Sequence, residues 1–393
     1  MKYDRYAPNL TITSKAEFVR RRETVQAKMQ EQGVDCILLY GSYLRQGGAI
    51  RYFVDFPTGG TNALYAILPK EGEIALFGHG NKGAKAVPPG IAGDAEINFA
   101  YPYAAIAGFT LPALMEEVAR YCKKHGFRVA GLYRTGMTPY DFVKAATEAN
   151  PGTELVGVDD VIDRIMAVKS PEEIEICKYV ARIHDDIYSC VRALVKPGQR
   201  EKDLRNKITY ICNDLDCESL NIMIGSGNPM AKHKGDSAQN RMLQDGDYVD
   251  LLLEISTVGG YWGEISRIIS LGEPDPEIVH LNDLTIEIQT QLADAARPGV
   301  PAKRMLEMLH EFQAAHDCKP ETRFFGHGQG LDLTQRPMFI EDETMVFEEN
   351  MFVAIHPDMD NGHMRAFTTD NFLITKDGGI RLNKFPHGII VID

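Results

Sequence analysis

A chain of 393 residues exceeds what one hydrophobic core normally organises, and 44% hydrophobic residues are enough to give each of two domains a core. A formal charge of −13 and a pI near 5.4, with no Lys/Arg-rich run, argue against a nucleic-acid or anionic-membrane partner. No stretch approaches the roughly 18 apolar residues of a membrane span or forms an export signal, so a cytoplasmic enzyme without membrane attachment is expected.

In chain order, Ser14-Lys15-Ala16-Glu17 reads as a capping box that opens a helix with Phe18, Val25 and Met29 on one face, closed by Gly33. Strand-like runs follow at Cys36 to Tyr40, Ala63 to Leu68 and Glu73 to Phe77. Leu111 to Lys124 reads as a helix, Phe127 to Tyr133 as a strand, and Thr138-Pro139 as the start of another helix. This is an α/β domain, assigned to residues 1–160.

Ser170-Pro171-Glu172-Glu173 is the strongest helix start in the chain, combining a cap, a first-turn proline and two carboxylates at the positive end of the helix dipole. Residues 161–393 then read as helix pairs and strands, twice over. Lys196-Pro197-Gly198 and Arg297-Pro298-Gly299 occupy equivalent places in the two halves. Seven scattered cysteines with no C-x-x-C pair predict neither a disulfide framework nor a thiolate zinc site.

Four segments carry candidate chemistry. Gly225-Ser226-Gly227-Asn228 leads to His233. A hairpin runs Tyr248 to Glu254, turns at Gly259-Gly260 and returns from Tyr261 to Leu271, which lets Glu254 and Glu264 face each other across it. Gly326-His327-Gly328-Gln329-Gly330 surrounds a histidine with glycines, freeing the backbone to bring its imidazole against a ligand. Met351 to Ile355 is a strand ending in His356, with Thr369 to Thr375 behind it. Spacing alone leaves His233 open to a structural role and the two glutamates open to being an exposed pair. The absence of a G-x-S-x-G elbow or a Walker loop removes the common hydrolase and kinase templates.

Together these segments resemble the creatinase/prolidase/methionine aminopeptidase superfamily. Val168 to Ile174 is similar to its linker and opening helix, and Gly260-Tyr261 with Glu264-Ile265-Ser266-Arg267 to its Gly-Tyr…Asp-Ile-Thr-Arg. His233 falls where that family has a substrate-facing histidine, and His327 where it has a metal-binding one. The resemblance implies an α+β pita-bread C-terminal domain behind a creatinase-type α/β domain. It also implies a homodimer in which one subunit's N-terminal domain closes the other's site.

The ligand pattern departs from the family's dinuclear one. Glu264 stands for the second aspartate of the hairpin, and the first falls on Leu253 or Glu254. His356 replaces one late glutamate, Thr369 the other with Asp370 beside it, and Thr334 takes the place of a second histidine. A dinuclear site is therefore not expected, because two ions 3.5–4 Å apart need bridging carboxylates. Either no metal or one zinc, iron or manganese ion on Glu254, Glu264, His327 and His356 is implied.

The C-terminal Asn383-Lys384-Phe385-Pro386-His387-Gly388 resembles that of creatinase, but Ser266, Thr369, Thr61 and Ala63 stand where creatine's contacts would be. The expected activity is hydrolysis of a carbon–nitrogen bond in a small polar metabolite, not peptidase action. His233 would be the acid–base, supported by Glu264 and His327. Arg267 and Arg336 would hold an anionic group, and Tyr261, Trp262, Thr369 and Asp370 would line the substrate, with Tyr52, Phe53 and Phe56 as further candidates. The alternatives are a single-metal lyase, a metal-dependent Xaa-Pro dipeptidase or aminopeptidase, and a non-catalytic binding module.

Overall fold

The computed structural model describes residues 12–41, 47–54, 64–78, 94–98, 112–234 and 240–392. They fall into two units, Lys2–Met166 and Ala167–Asp393.

In the first unit, helix α1 (Lys15–Gln32) begins at Ser14, whose hydroxyl accepts the Glu17 N–H at 3.1 Å, and ends at Gly33 with φ of 70°. The cap is there, but the reciprocal half of the expected box is not. Glu17 turns its carboxylate to Arg20 and Arg21, at 2.7 and 2.8 Å. The elements that follow are β1 (Cys36–Gly41), α2 (Gly48–Arg51), β2 (Leu64–Pro69), β3 (Ile74–Phe77), β4 (Ala95–Ile97), α3 (Pro112–His125), β5 (Val129–Leu132), α4 (Tyr140–Glu148), β6 (Glu154–Gly157) and α5 (Asp159–Ala167). The strands order as β4-β3-β2-β1-β5-β6. Leu38, Tyr65, Ile67 and Phe77 of the sheet pack with Leu114 and Val118 of α3 and Phe142 of α4. Helix α5 was not anticipated in the sequence. Tyr52 and Phe53 are buried, while Phe56, Thr61 and Ala63 lie outside the described residues.

The second unit opens with α6 (Pro171–Leu194). Here the capping box is complete, Ser170 and Glu173 each bonding the other's backbone N–H. Helix α7 (Glu201–Asp214) leads to β7 (Ser219–Gly227), β8 (Tyr248–Ser256) and β9 (Trp262–Leu271). Then come α8 (Pro276–Ala295), α9 (Arg304–Ala315), β10 (Gly326–Gly328), β11 (Gln335–Met338), β12 (Phe352–Ile355), β13 (Asp358–Asp360), β14 (Arg365–Phe367), β15 (Asp370–Thr375), β16 (Gly378–Arg381) and β17 (Ile390–Ile392). The two larger sheets run β17-β9-β8-β7 and β11-β10-β12-β15-β16.

Each sheet buries one face under its own helices. Ile222, Leu251, Leu253 and Ile265 pack with Ile183, Val191 and Leu204 of α6 and α7. Val353, Ile355, Phe372 and Ile374 pack with Ile278, Leu281 and Ile288 of α8. Between the sheets, Ser266 and Thr369 form an isolated bridge. This is the pita-bread domain that the sequence led us to expect.

The hydrophobic pattern also decides what faces the middle. Strand side chains alternate, so with Leu251 and Leu253 under the helices, Asp250, Leu252 and Glu254 turn to the other face. A one-residue slip would drive those carboxylates into the apolar layer, where each fully buried Leu or Ile contributes on the order of 1.5–3 kcal/mol. The register is therefore fixed by the core, and the site inherits it.

Candidate active site

Glu254 and Glu264 are direct register partners on β8 and β9, yet they go to different places. Glu264 is 1% exposed, and its backbone is gripped by the Asn371 side chain: the Glu264 N–H donates to Asn371 Oδ1 at 2.9 Å, and Asn371 Nδ2 donates to the Glu264 carbonyl at 2.7 Å. Asn383 Oδ1 holds Asn371 in turn, accepting its side-chain N–H at 2.8 Å. This clamp ties the hairpin of one sheet to β15 of the other.

Glu264, His327 and His356 come together, with one ligand atom from each lying within 4.8 Å of the others. His327 Nε2 is 3.0 Å from Glu264 Oε1, but the alignment gives Oε1 no hydrogen bond. His327 Nδ1 lies 2.9 Å from the Gly328 carbonyl, an acceptor, so Nδ1 carries a proton and Nε2 faces Glu264, where the neutral form of the ring offers its lone pair. A lone pair and an unpartnered carboxylate oxygen converging in a buried place are the arrangement a cation resolves.

The two side chains also attract each other as a charged pair. Burial disfavours charge on both Glu264 and His327, but their mutual attraction outweighs it, holding Glu264 below the usual carboxylate range and His327 above the usual imidazole range. Burial, reinforced by the charges of His327 and Arg323, pushes His356 down to about 3, so it stays neutral and able to donate a lone pair. Two imidazoles and one carboxylate make a recognised three-ligand set for a catalytic ion with an open position, so these residues fit a divalent metal.

Glu254 does not join the three. Its carboxylate accepts from the amide of Asn221, its register partner on β7, though its charge still reaches His327. The other placement considered for the first aspartate, Leu253, lies under the helices.

The glycines around His327 have a more specific reason than backbone freedom. A Cβ on Gly326 would sit 2.2 Å from the Phe339 ring, and one on Gly328 would sit 2.3 Å from the Arg336 carbonyl oxygen. β10 and β11 approach too closely for side chains there. Gly328→Ala is expected to cost about 1–3 kcal/mol of stability and to weaken metal affinity by displacing His327, read by thermal unfolding and metal titration.

His233 shares an aromatic neighbour with this group. Phe367 is 5.0 Å from the His233 ring and 6.0 Å from His356, centroid to centroid. Phe324, exposed, stands 5.6 and 6.0 Å from His327 and His356. His233 Nδ1 meets Asp250 Oδ2 at 2.8 Å, and Asp250 also accepts from Arg365 at 2.7 Å. Asp250, Asn221 and Asn371 were missed in the sequence. Their roles depend on partners tens of residues away, and only the alternation of β8 placed Asp250 on the site face.

Several expected substrate contacts are already occupied. Arg267, 1% exposed, donates to Asp370 at 2.8 Å and to the carbonyls of Pro386, Ser266 and Thr369. It has no face left for a substrate anion. Asp370 is equally committed, to Arg267, to Arg381 at 3.3 Å and to His387 at 3.1 Å. Arg336 binds Glu343 at 2.5 Å and Thr344 at 3.0 Å. Tyr261 donates its hydroxyl to Glu173 at 2.6 Å, tying the hairpin to the start of α6, and Trp262 is buried beside it. These four, together with Asp370, are engaged or buried within the fold, an arrangement that favours a framework role over the substrate contacts expected for them. Thr369 is buried with an unpartnered Oγ1, and Thr334 is exposed.

All seven cysteines are free. Among the described residues, no helix is long and apolar enough to cross a membrane.

Comparison with known proteins adds the lineage. Residues 175–383 match the model of Metallopeptidase family M24, and residues 21–168 that of the Creatinase/Prolidase N-terminal domain. A Xaa-Pro dipeptidase of Pyrococcus furiosus is 27% identical over 255 residues, covering 63% of this chain and 72% of that one. A probable dipeptidase PepE of Mycobacterium bovis is 28% identical over 239 residues, covering 59% and 63%. Among solved structures, a Xaa-Pro dipeptidase from Bacillus anthracis superposes with a TM-score of 0.78 at 19% identity, covering 95% of this chain and 100% of that one. The prolidase from Pyrococcus horikoshii gives 0.77 at 20% identity, covering 94% and 99%.

Proposed function

The chain belongs to metallopeptidase family M24, and from that premise we propose that it is a metal-dependent peptidase hydrolysing small Xaa-Pro-type dipeptides with one divalent ion on Glu264, His327 and His356. The expectation of a creatinase-like hydrolase that is not a peptidase is corrected here. The relatives bear the names Xaa-Pro dipeptidase and dipeptidase, and none of those cited is a creatinase.

The buried three-ligand group carries this reading. A bound divalent ion supplies Lewis-acid polarisation of a carbonyl and activation of water. The chain's own residues do the rest. His233 is the group available to move a proton, its ring 5.0 Å from that of Phe367, and Phe367 and Phe324 set apolar rings beside the histidine ligands. Glu254 adds negative charge opposite His327.

A single ion is favoured by what has become of the neighbouring acids. Asp250 and Asp370, both fully buried, are already neutralised by Arg365 and Arg267. Leu252, Ser266 and Thr369 offer no carboxylate to bridge a second ion. The reading includes a cytoplasmic homodimer, following the sequence resemblance.

The test is hydrolysis of Xaa-Pro dipeptides by protein loaded in turn with manganese, zinc and iron, before and after chelation. Turnover that needs stoichiometric metal is expected. Fully loaded, folded protein that releases no proline from any of them refutes the reading.

A further inference from the structure

His233 is placed by a chain of buried charges that begins on β8 and ends on β13. Its Nδ1 lies 2.8 Å from Asp250 Oδ2. The same oxygen accepts from Arg365 Nη1 at 2.7 Å, and Ser266 Oγ lies 3.4 Å from the other. Arg365 is held from behind by Asp358, at 2.9 Å from Nη2 and 3.2 Å from Nε. Lys232, more exposed, approaches Asp358 at 3.6 Å. Asp250 is 0% exposed, so none of its valence goes to solvent.

Arg365 does not need Asp250 for neutrality, because Asp358 already meets its guanidinium through two nitrogens, Nε and Nη2. What Asp250 adds is an acceptor at a fixed point beside the imidazole. A carboxylate can only accept, so the proton between them resides on Nδ1, and in the neutral ring the opposite nitrogen is the bare one.

We propose that Asp250 is a positioning residue: it holds His233 in the Nδ1–H tautomer so that a bare Nε2 faces away from it, with Arg365 and Asp358 fixing Asp250 in place. Arg365 also determines which substitutions preserve the device. In Asp250→Asn, the guanidinium demands the amide oxygen, which leaves that oxygen beside His233 and the amide nitrogen beside the Ser266 hydroxyl. The acceptor survives. In Asp250→Ala it does not, while Asp358 still neutralises Arg365.

The inference rests on the peptidase reading for its kinetic arm only. Histidine ¹⁵N spectra of the full chain, recorded through a pH titration with the His233 signals assigned by their loss in His233→Gln, are expected to show Nδ1 protonated and Nε2 bare in the neutral ring. That pattern should persist in Asp250→Asn and become a tautomer mixture in Asp250→Ala. With an Xaa-Pro dipeptide, Asp250→Ala should lower kcat roughly 10²-fold, with KM within about threefold, unchanged metal content, and recovery of most activity in Asp250→Asn. A wild-type neutral ring with Nε2 protonated and Nδ1 bare overturns the inference even if the alanine variant does not fold, and so does a folded Asp250→Ala with kcat within about threefold of wild type. Absence of any dipeptide turnover in the wild type would sink the peptidase reading, and the spectra would still decide the role of Asp250.

Discussion

His356→Ala is expected to strip the ion from purified protein and to lower dipeptide hydrolysis roughly a thousandfold or more. Of the three ligands, His356 is the one burial keeps unprotonated, with its imidazole pushed down to about 3. Its lone pair is therefore free for an ion at neutral and mildly acidic pH. Without it, Glu264 and His327 remain, and two protein ligands hold a divalent ion weakly. Elemental analysis of protein prepared without chelator should fall from about one ion per chain to about a tenth or less. The fold should survive, because the side chain sits at the end of β12 with its ring against Phe324, Phe367 and His327 and not in either helix-covered core. Retention of the ion, or a kcat within about tenfold of wild type, would contradict the proposed ligand set.

The three proposed ligands and His233 could be singled out in the sequence because each sits in a short local pattern. Glu264 follows a Gly-Tyr turn, His327 lies between glycines, and His356 ends an apolar strand. The misreadings share a different cause. Arg267 follows the hairpin glutamate by three residues and looked like a free cation, but its partner Asp370 is 103 positions away. Glu254 looked equivalent to Glu264 because the two face each other across the hairpin, whereas the amide that captures it comes from β7, 33 positions upstream. A linear pattern reports which face of a strand a side chain occupies. It does not report which long-range neighbour has already satisfied that side chain.

The same distinction bears on metal number. Counting acids near the site gives Asp250, Glu254, Glu264 and Asp370, enough on paper for two ions. Pairing reduces the count, since two of the four face buried guanidinium groups. A carboxylate cannot neutralise an arginine and bridge two dications at once, so charge balance, more than the number of acids, favours one ion.

Arg267→Met provides the sharpest contrast between the expectation of a substrate contact and the framework role seen here. It is expected to destabilise the protein by about 3–5 kcal/mol, because it removes the strongest partner of a fully buried carboxylate and leaves the carbonyls of Pro386, Ser266 and Thr369 without their donor. Arg381 and His387 still reach Asp370 but are partly exposed, so they compensate only in part. The acid limb of the stability curve should change as well. Burial opposes charge on Asp370, but Arg267 and its neighbours hold its carboxyl below the usual range. The stability from that shift is present above the unfolded value of about 3.9 and is lost as pH falls below it. Without Arg267 part of that contribution is gone at every pH, so the variant should be less stable at neutral pH and lose less between about pH 4 and 2, read by urea unfolding across that range. An anion-binding role predicts the reverse: a raised KM at unchanged stability, with no effect on the acid limb.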